Sequence, residues 1–190
     1  MVKDWIGSKR VLDCNIRKKD AEPNDYYATE PRAIELLLDL ESFSDHIWEP
    51  ACGEGHLSKV LEKKGYNVYS TDLIERGYGI GNIDFLAQKG LFQGDIITNP
   101  PYKYAKEFVE KALESVLPGN KVAMFLKLTF LEGKSRRELF KKNPPQAVYV
   151  SSDRIRCGKN GDFTGPRSAV AYAWFVWRRG YPRPDRAAVV

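Results

Sequence analysis

"HIWEPACGEGHLSKVLEKKGYNVYSTD", residues 46–72, decides the fold. It opens as a short apolar strand, 46–51, and passes through a turn carrying Gly53 and Gly55. A helix over 55–65 follows, closed by Gly65, and the chain returns as a second strand over 67–73. Strand, helix and strand in succession make a parallel βαβ unit, whose sheet is covered by helices. Working outward, the alternation continues. Residues 80–86 read as a third strand, "DIITNPP" (95–101) as a fourth, and 103–117 as an amphipathic helix ended by Pro118-Gly119. A fifth strand over 121–131, a basic helix over 133–143, and strands over 146–152 and 168–179 complete the series. Upstream, "AIELLLDL" from Ala33 has helical spacing, with Thr29 and Pro31 at its start.

The last two strands are joined by 15 residues, Asp153 to Arg167, without a helical pattern. That predicts an antiparallel final pair, because a parallel return needs a crossover. The expected fold is therefore α/β: a seven-stranded, mostly parallel sheet with one antiparallel strand and helices on both faces. Open sheets of this kind bind ligands at the carboxyl ends of their strands. Residues 1–24 read as a polar N-terminal arm, 25–181 as one domain, and 182–190 as a short tail in which Pro182 and Pro184 block regular structure.

Composition narrows the class. The 190 residues are 43% hydrophobic, ordinary for one globular domain with a real core. No apolar run approaches the roughly 18 residues that span a bilayer, and MVKDWIGSKR lacks the apolar centre of a signal peptide. The expected location is the cytoplasm, with no membrane partner. Cys14, Cys52 and Cys157 are far apart and only two histidines are present, which argues against a disulfide framework or a metal centre. The net charge of +5 is uneven: residues 1–126 carry 16 Lys+Arg against 20 Asp+Glu, and residues 127–190 carry 14 against 5. A basic C-terminal third suits a polyanionic partner.

Chemistry-bearing residues gather where strands end. Gly53 and Gly55 permit a tight turn and close backbone approach to a ligand, and this turn lacks the Gly-Lys-Ser/Thr of a phosphate-cradling P-loop. Asp72, 17 residues after Gly55, places a carboxylate where it can accept both hydroxyls of a ribose. Glu49 adds a carboxylate suited to an ammonium group. Asp84-Phe85 offers an acceptor beside an aromatic face, suited to adenine. Asn99-Pro100-Pro101-Tyr102 follows the fourth strand.

In this order, "ATEPRAIELL", "EPACGEG", Asp72-Leu73, Asp84-Phe85 and "DIITNPPY" resemble the S-adenosylmethionine-dependent amino-methyltransferases, most closely the N6-adenine DNA methyltransferases. The resemblance runs from about Tyr26 to about Gly180. It implies a Rossmann-like class I methyltransferase in a small form, without a separate target-recognition domain. It also implies Tyr27 and Thr29 near the methionine end of the cofactor, and Glu49, Ala51, Gly53 and Gly55 around its amino-acid moiety. Asp72 is then expected on the ribose, Leu73 and Ile74 near the adenine, and Asp84 and Phe85 holding that adenine, with Asn99 completing the cofactor side.

Asn99, Pro100, Pro101 and Tyr102 are the expected catalytic residues. The exocyclic amine of adenine is a poor nucleophile because its lone pair is delocalised into the ring. The Asn99 oxygen and the Pro100 carbonyl can bind its two hydrogens and aim the lone pair at the methyl group. Prolines fix φ and remove competing donors, and Tyr102 can stack on the base. No covalent nucleophile is required, and no cysteine follows a proline here as the cytosine C5 enzymes need. A duplex adenine would have to be flipped out. Nucleic-acid contacts are expected from Lys134, Arg136 and Arg137 and from Arg154, Arg156, Lys159, Phe163 and Arg167, with the N-terminal arm as a further candidate. DNA is the expected partner, with RNA possible. An RNA adenine methyltransferase, a protein glutamine methyltransferase and a non-enzymatic nucleic-acid binder remain as alternatives, and the chain leaves monomer or homodimer open.

Overall fold

A computed structural model of the chain describes residues 28–158, 163 and 170–181. The expected arm and tail lie outside them. The strands are β1 (Ala28–Thr29), β2 (His46–Glu49), β3 (Asn67–Ser70), β4 (Asp95–Thr98), β5 (Lys121–Lys127), β6 (Ala147–Val150), β7 (Cys157–Gly158) and β8 (Tyr172–Arg178). The helices are α1 (Arg32–Leu38), α2 (Ser58–Lys63), α3 (Ala105–Ser115) and α4 (Arg137–Lys142).

Six strands form one sheet in the order β3-β2-β4-β5-β8-β6. β3, β2, β4 and β5 are mutually parallel. β8 enters between β5 and β6 and runs antiparallel to both, the antiparallel strand that the unpatterned 153–167 segment predicts. Because β2 has β3 on one side and β4 on the other, the winding reverses between them. That switch point opens a crevice at the carboxyl ends of β2 and β4, beyond Glu49 and Thr98.

Alternating residues divide the core into two layers. Val122, Met124 and Leu126 of β5 and Ala173, Phe175 and Trp177 of β8 face α3 and α4. Ala123 and Phe125 of β5 and Tyr172, Trp174 and Val176 of β8 face α1 and α2. The near-continuous apolar run of β5 follows from burial on both faces. On α3, Ala105, Phe108, Val109 and Ala112 recur at helical spacing and are buried, as is Ser115 at its end. Each fully buried Phe or Val contributes roughly 1.5–3 kcal/mol.

The expected third strand over 80–86 does not form. Ile80 makes one isolated parallel bridge to Thr71, and Phe85–Ala87 is a 3-10 turn. Gly77 (φ 78°), Gly79 (φ 68°) and Asn82 (φ 58°) hold left-handed backbone that breaks an extended run. The main sheet accordingly has six strands among the described residues. The expected strand over 121–131 stops at Lys127 and turns into a 3-10 segment, Leu128–Leu131. The basic helix over 133–143 divides into a 3-10 turn, Lys134–Arg136, and α4. Gly65 at φ 95° follows α2, as a closing glycine should.

β1 and β7 pair antiparallel as a two-stranded ribbon, Ala28 with Gly158 and Thr29 with Cys157. Two-residue strands have no periodicity, so the pattern of the chain does not announce them. At the opposite end of the sheet, the buried Asp95 carboxylate accepts from the Ser44 and Lys121 amides and the Asn120 side chain. There Lys121 also pairs with Glu41 at 2.5 Å, joining the starts of β4 and β5 to the loop before β2.

Candidate active site at the carboxyl ends of β2 and β4

The turn after β2 is stitched to the loop after β3. The Thr71 amide donates to the Glu49 carbonyl (2.9 Å) and the Cys52 amide to the Thr71 carbonyl (3.0 Å). The Asp72 carboxylate accepts from the Gly53 amide through Oδ2 (2.8 Å) and from the Ile74 amide through Oδ1 (2.9 Å). Asp72, the residue expected on a ribose, thus fastens two loops together. Each carboxylate oxygen has a second acceptor site, so these bonds leave capacity for hydroxyl donors.

Gly53 (φ 56°) and Gly55 (φ 78°) both occupy the left-handed region. A Cβ on Gly55 would lie 2.4 Å from the Tyr78 ring, which closes over the turn. Tyr78 is held there by its hydroxyl, which donates to Glu62 Oε1 (3.0 Å), and by the Cys52 thiol, which reaches the Tyr78 carbonyl (3.7 Å). Cys52 is 4% exposed, and burial pushes its thiol up to about 12, so it serves as packing. Tyr78 is a residue that pattern reading missed. Its one signal was an aromatic between the glycines of "RGYGIG".

Glu49 ends β2 with its side chain 2% exposed. The Ser58 hydroxyl donates to its Oε2, and Ser58 and Ser70 share a hydroxyl bond of 2.6 Å. Burial pushes the Glu49 carboxyl up to about 8, against the opposing bond from Ser58. A neutral buried carboxyl at the mouth of a glycine turn is poised to ionise when a cation arrives. Ala51, half-buried in the same turn, packs at the margin of the α3-side core.

One strand over, β4 delivers Asn99. The Asn99 side-chain amide donates to Thr29 Oγ1 at 2.8 Å across 70 residues of sequence. Thr29 is 2% exposed and fixed in β1 by pairing with β7. It therefore acts as an orienting acceptor rather than as the helix cap its place before Pro31 suggests. Because Thr29 takes the amide nitrogen, the Asn99 oxygen is set on the other side of the group, as an acceptor. Pro100 is buried. Pro101 precedes a 3-10 turn, Tyr102–Tyr104, that leads into α3. The Tyr102 ring has Lys127 Nζ 4.5 Å from its centroid and the Tyr172 ring at 5.8 Å. Lys127, the last residue of β5, is a second site residue the sequence reading passed over. A lysine closing an otherwise apolar strand was the available signal.

The adenine-holding pair is placed differently from expectation. Asp84 caps the 3-10 turn, its Oδ1 accepting from the Leu86 amide (2.9 Å). Phe85 is 1% exposed and packed against Trp48 (5.0 Å) and Phe108 (5.1 Å), so its faces belong to the core. Leu73, by contrast, is 55% exposed next to Asp72, and Ile74 is half-buried.

The basic residues separate as well. Arg136 donates to the carbonyls of Phe130 (2.7 Å), Thr129 (3.1 Å) and Glu132, with its guanidinium over the Phe130 ring, so it staples its own turn. Lys134 and Arg137 are exposed beside it. Arg156 donates to the Phe163 carbonyl, and its amide donates to Glu30 (3.1 Å). Phe163 meets the His56 ring edge-on at 5.8 Å, so this aromatic lies against the glycine turn rather than standing clear of it. Arg154 is exposed. Tyr27, Lys159 and Arg167 lie outside the described residues. Among the described residues no cluster of His, Cys, Asp and Glu could hold a metal ion, and no helix is long and apolar enough to cross a membrane.

No protein-family model matches the chain, and no curated protein sequence matches it. Solved structures do match in fold. One, from Listeria monocytogenes, is ascribed to the class I S-adenosylmethionine-dependent methyltransferases; it is 13% identical with a TM-score of 0.63, over 93% of this chain and 70% of that one. Another, ascribed to the RNA methyltransferases of Pyrococcus horikoshii, is 16% identical with a TM-score of 0.51, over 77% and 79%. An S-adenosylmethionine-dependent O-methyltransferase from Thermotoga maritima is 16% identical with a TM-score of 0.52, over 81% and 66%. At such identities the shared property is the fold: the Rossmann-like α/β architecture of class I methyltransferases.

Proposed function

We propose that this protein transfers a methyl group from S-adenosylmethionine to the N6 amine of adenine in DNA. The observation that carries the reading is Asn99, oriented by Thr29 at 2.8 Å and followed by Pro100, Pro101 and Tyr102, one strand from the Gly53–Gly55 turn. The residues present fit the cofactor. Glu49 is a buried carboxyl that an ammonium group would ionise, Asp72 keeps acceptor sites for a ribose, and Leu73 with Ile74 offers an apolar border for its adenine. S-adenosylmethionine, when bound, supplies an electrophilic methyl on a sulfonium.

The chain's own part is positional. The Asn99 oxygen and the Pro100 carbonyl accept the two N6 hydrogens, drawing the amine out of conjugation and fixing its lone pair. A nitrogen held in this way would take the methyl that bound S-adenosylmethionine would supply, and would lose its extra proton afterwards. Tyr102 supplies the plate for the base; such stacking is worth roughly 1–3 kcal/mol. The basic C-terminal third favours a polyanionic substrate over an amide side chain of a protein.

Incubation with methyl-labelled cofactor and duplex DNA, single-stranded DNA, RNA or protein tests the assignment. Label recovered as N6-methyladenine from DNA is the expected result, and label confined to protein sinks it. A pH dependence should accompany binding. With its free-state value at about 8, Glu49 must lose a proton to pair with the ligand's ammonium. Affinity should therefore weaken by about tenfold for each pH unit below 8, with proton release visible by calorimetry in buffers of different ionisation heat. Glu49→Gln should bind weakly at every pH and lose this slope. Wild-type affinity that is flat between pH 6 and 8 would contradict the role given to Glu49.

A further inference from the structure

A second concavity lies between the carboxyl end of β6 and the start of β8, three and two strands from the β4 that carries Asn99. It measures about 190 Å³ and is lined by residues 150–155 with Ala171 and Tyr172. Pockets for whole ligands run to about 300–1,000 Å³, so this one suits a fragment, such as a single base. Its edge of the sheet is the edge that carries Asn99, because β8 pairs Tyr172 with Lys127 at the carboxyl end of β5 and Ala173 with Val150 at that of β6.

Tyr172 joins the two places. It lines the cavity, and its ring is 5.8 Å from that of Tyr102. Lys127, paired with Tyr172 through the backbone, reaches back over the Tyr102 ring at 4.5 Å. An ammonium therefore lies over the tyrosine plate whose neighbour, Tyr172, lines the cavity. The rim adds charge of the same sign. Arg154 is exposed there, and Asp153, the acidic residue of the lining, is offset by Arg32 at 2.9 Å. Ser151 and Ser152 contribute hydroxyls that can donate to or accept from the edge of a base.

We infer that this cavity seats the nucleotide that neighbours the target adenine in the strand, with Lys127 on the phosphate that links the two. The inference rests on the function proposed above and adds to it a polymeric substrate, read at one flanking position. The domain then distinguishes sequence context through a seat beside its catalytic residues. Lys127 and Arg154 position the strand, while Ser151 and Ser152 meet the base.

The test uses single-stranded oligonucleotides with one adenine, carrying an abasic residue on its 5′ side, on its 3′ side, or on neither. For the wild-type protein one of the two abasic strands should raise KM about tenfold, the loss expected for an unmade base contact, with kcat changed less than twofold. Ser152→Trp, at an exposed position and so compatible with folding, fills the cavity. It should reproduce that tenfold rise on the intact strand and add nothing on the abasic one. Lys127→Gln should reduce the slope of log KM against log salt by about one. Equal KM for all three strands, or a Ser152→Trp protein with wild-type KM, overturns the seat while leaving adenine methylation standing. Transfer to protein with none to any oligonucleotide overturns both.

Discussion

Asn99→Ala is expected to lower methyl transfer by about 100- to 1,000-fold, the scale on which single preorganised hydrogen-bonding groups act at reacting centres. Cofactor affinity should stay within a few fold, because Glu49 and Asp72 hold the ligand from neighbouring strands. Stability should fall by about 1–3 kcal/mol, because the buried Thr29 hydroxyl loses its donor. The companion substitution is more discriminating. Thr29→Val keeps the volume of the side chain and removes the acceptor that orients the Asn99 amide. It should cost roughly tenfold in kcat with KM unchanged, because a misaligned group loses transition-state contacts first. Thr29→Ser, which restores the hydroxyl, should recover most of the loss. Single-turnover transfer to an oligonucleotide reads all three, and a Thr29→Val protein as fast as wild type would remove Thr29 from the mechanism.

Gly55→Ala is the second large effect, and it acts on the fold of the site before its chemistry. A Cβ there meets the Tyr78 ring at 2.4 Å, and the backbone at φ 78° is left-handed. Left-handed backbone costs a non-glycine residue roughly 1–2 kcal/mol, and overpacking typically adds about 1–3 kcal/mol. The sum, about 2–5 kcal/mol, is a large fraction of a domain's usual 5–15 kcal/mol. Urea unfolding of Gly55→Ala should show that loss, with cofactor binding weakened because the turn is displaced. Adding Tyr78→Ala should return the steric part and leave the backbone part. A Gly55→Ala protein of wild-type stability would mean that the closed position of Tyr78 is dispensable.

Much of this architecture was legible in residue order. The βαβ unit of 46–72, the helix over 103–117 and the antiparallel return after residue 153 follow from periodicity and punctuation, which are local properties. The place of Asn-Pro-Pro-Tyr at a strand end is local too. Where reading failed, the failure has a local reason in some places and a distant one in others. The absent third strand was foreshadowed by three glycines between 77 and 81, which lower strand propensity, yet the isolated bridge from Ile80 to Thr71 shows how near the segment comes to pairing. The aromatic of Asp84-Phe85 could equally face a ligand or a core, and contacts with Trp48 and Phe108 decided for the core.

Sequence alone determined the class of fold, the strand ends that bear chemistry, and the pairing of a glycine turn with Asp72. These rest on spacing along the chain, which a linear pattern records. Tertiary structure alone decided that Thr29 meets Asn99, that Tyr78 lies on Gly55, that Arg136 serves its own turn, and that Lys127 lies over the Tyr102 ring. Apart from the local bonds of Arg136, each is a meeting of groups far apart in the chain, set by how strands order in the sheet. Strand order is fixed by burial of both sheet faces over the whole domain, a global balance of packing that no single stretch of residues contains.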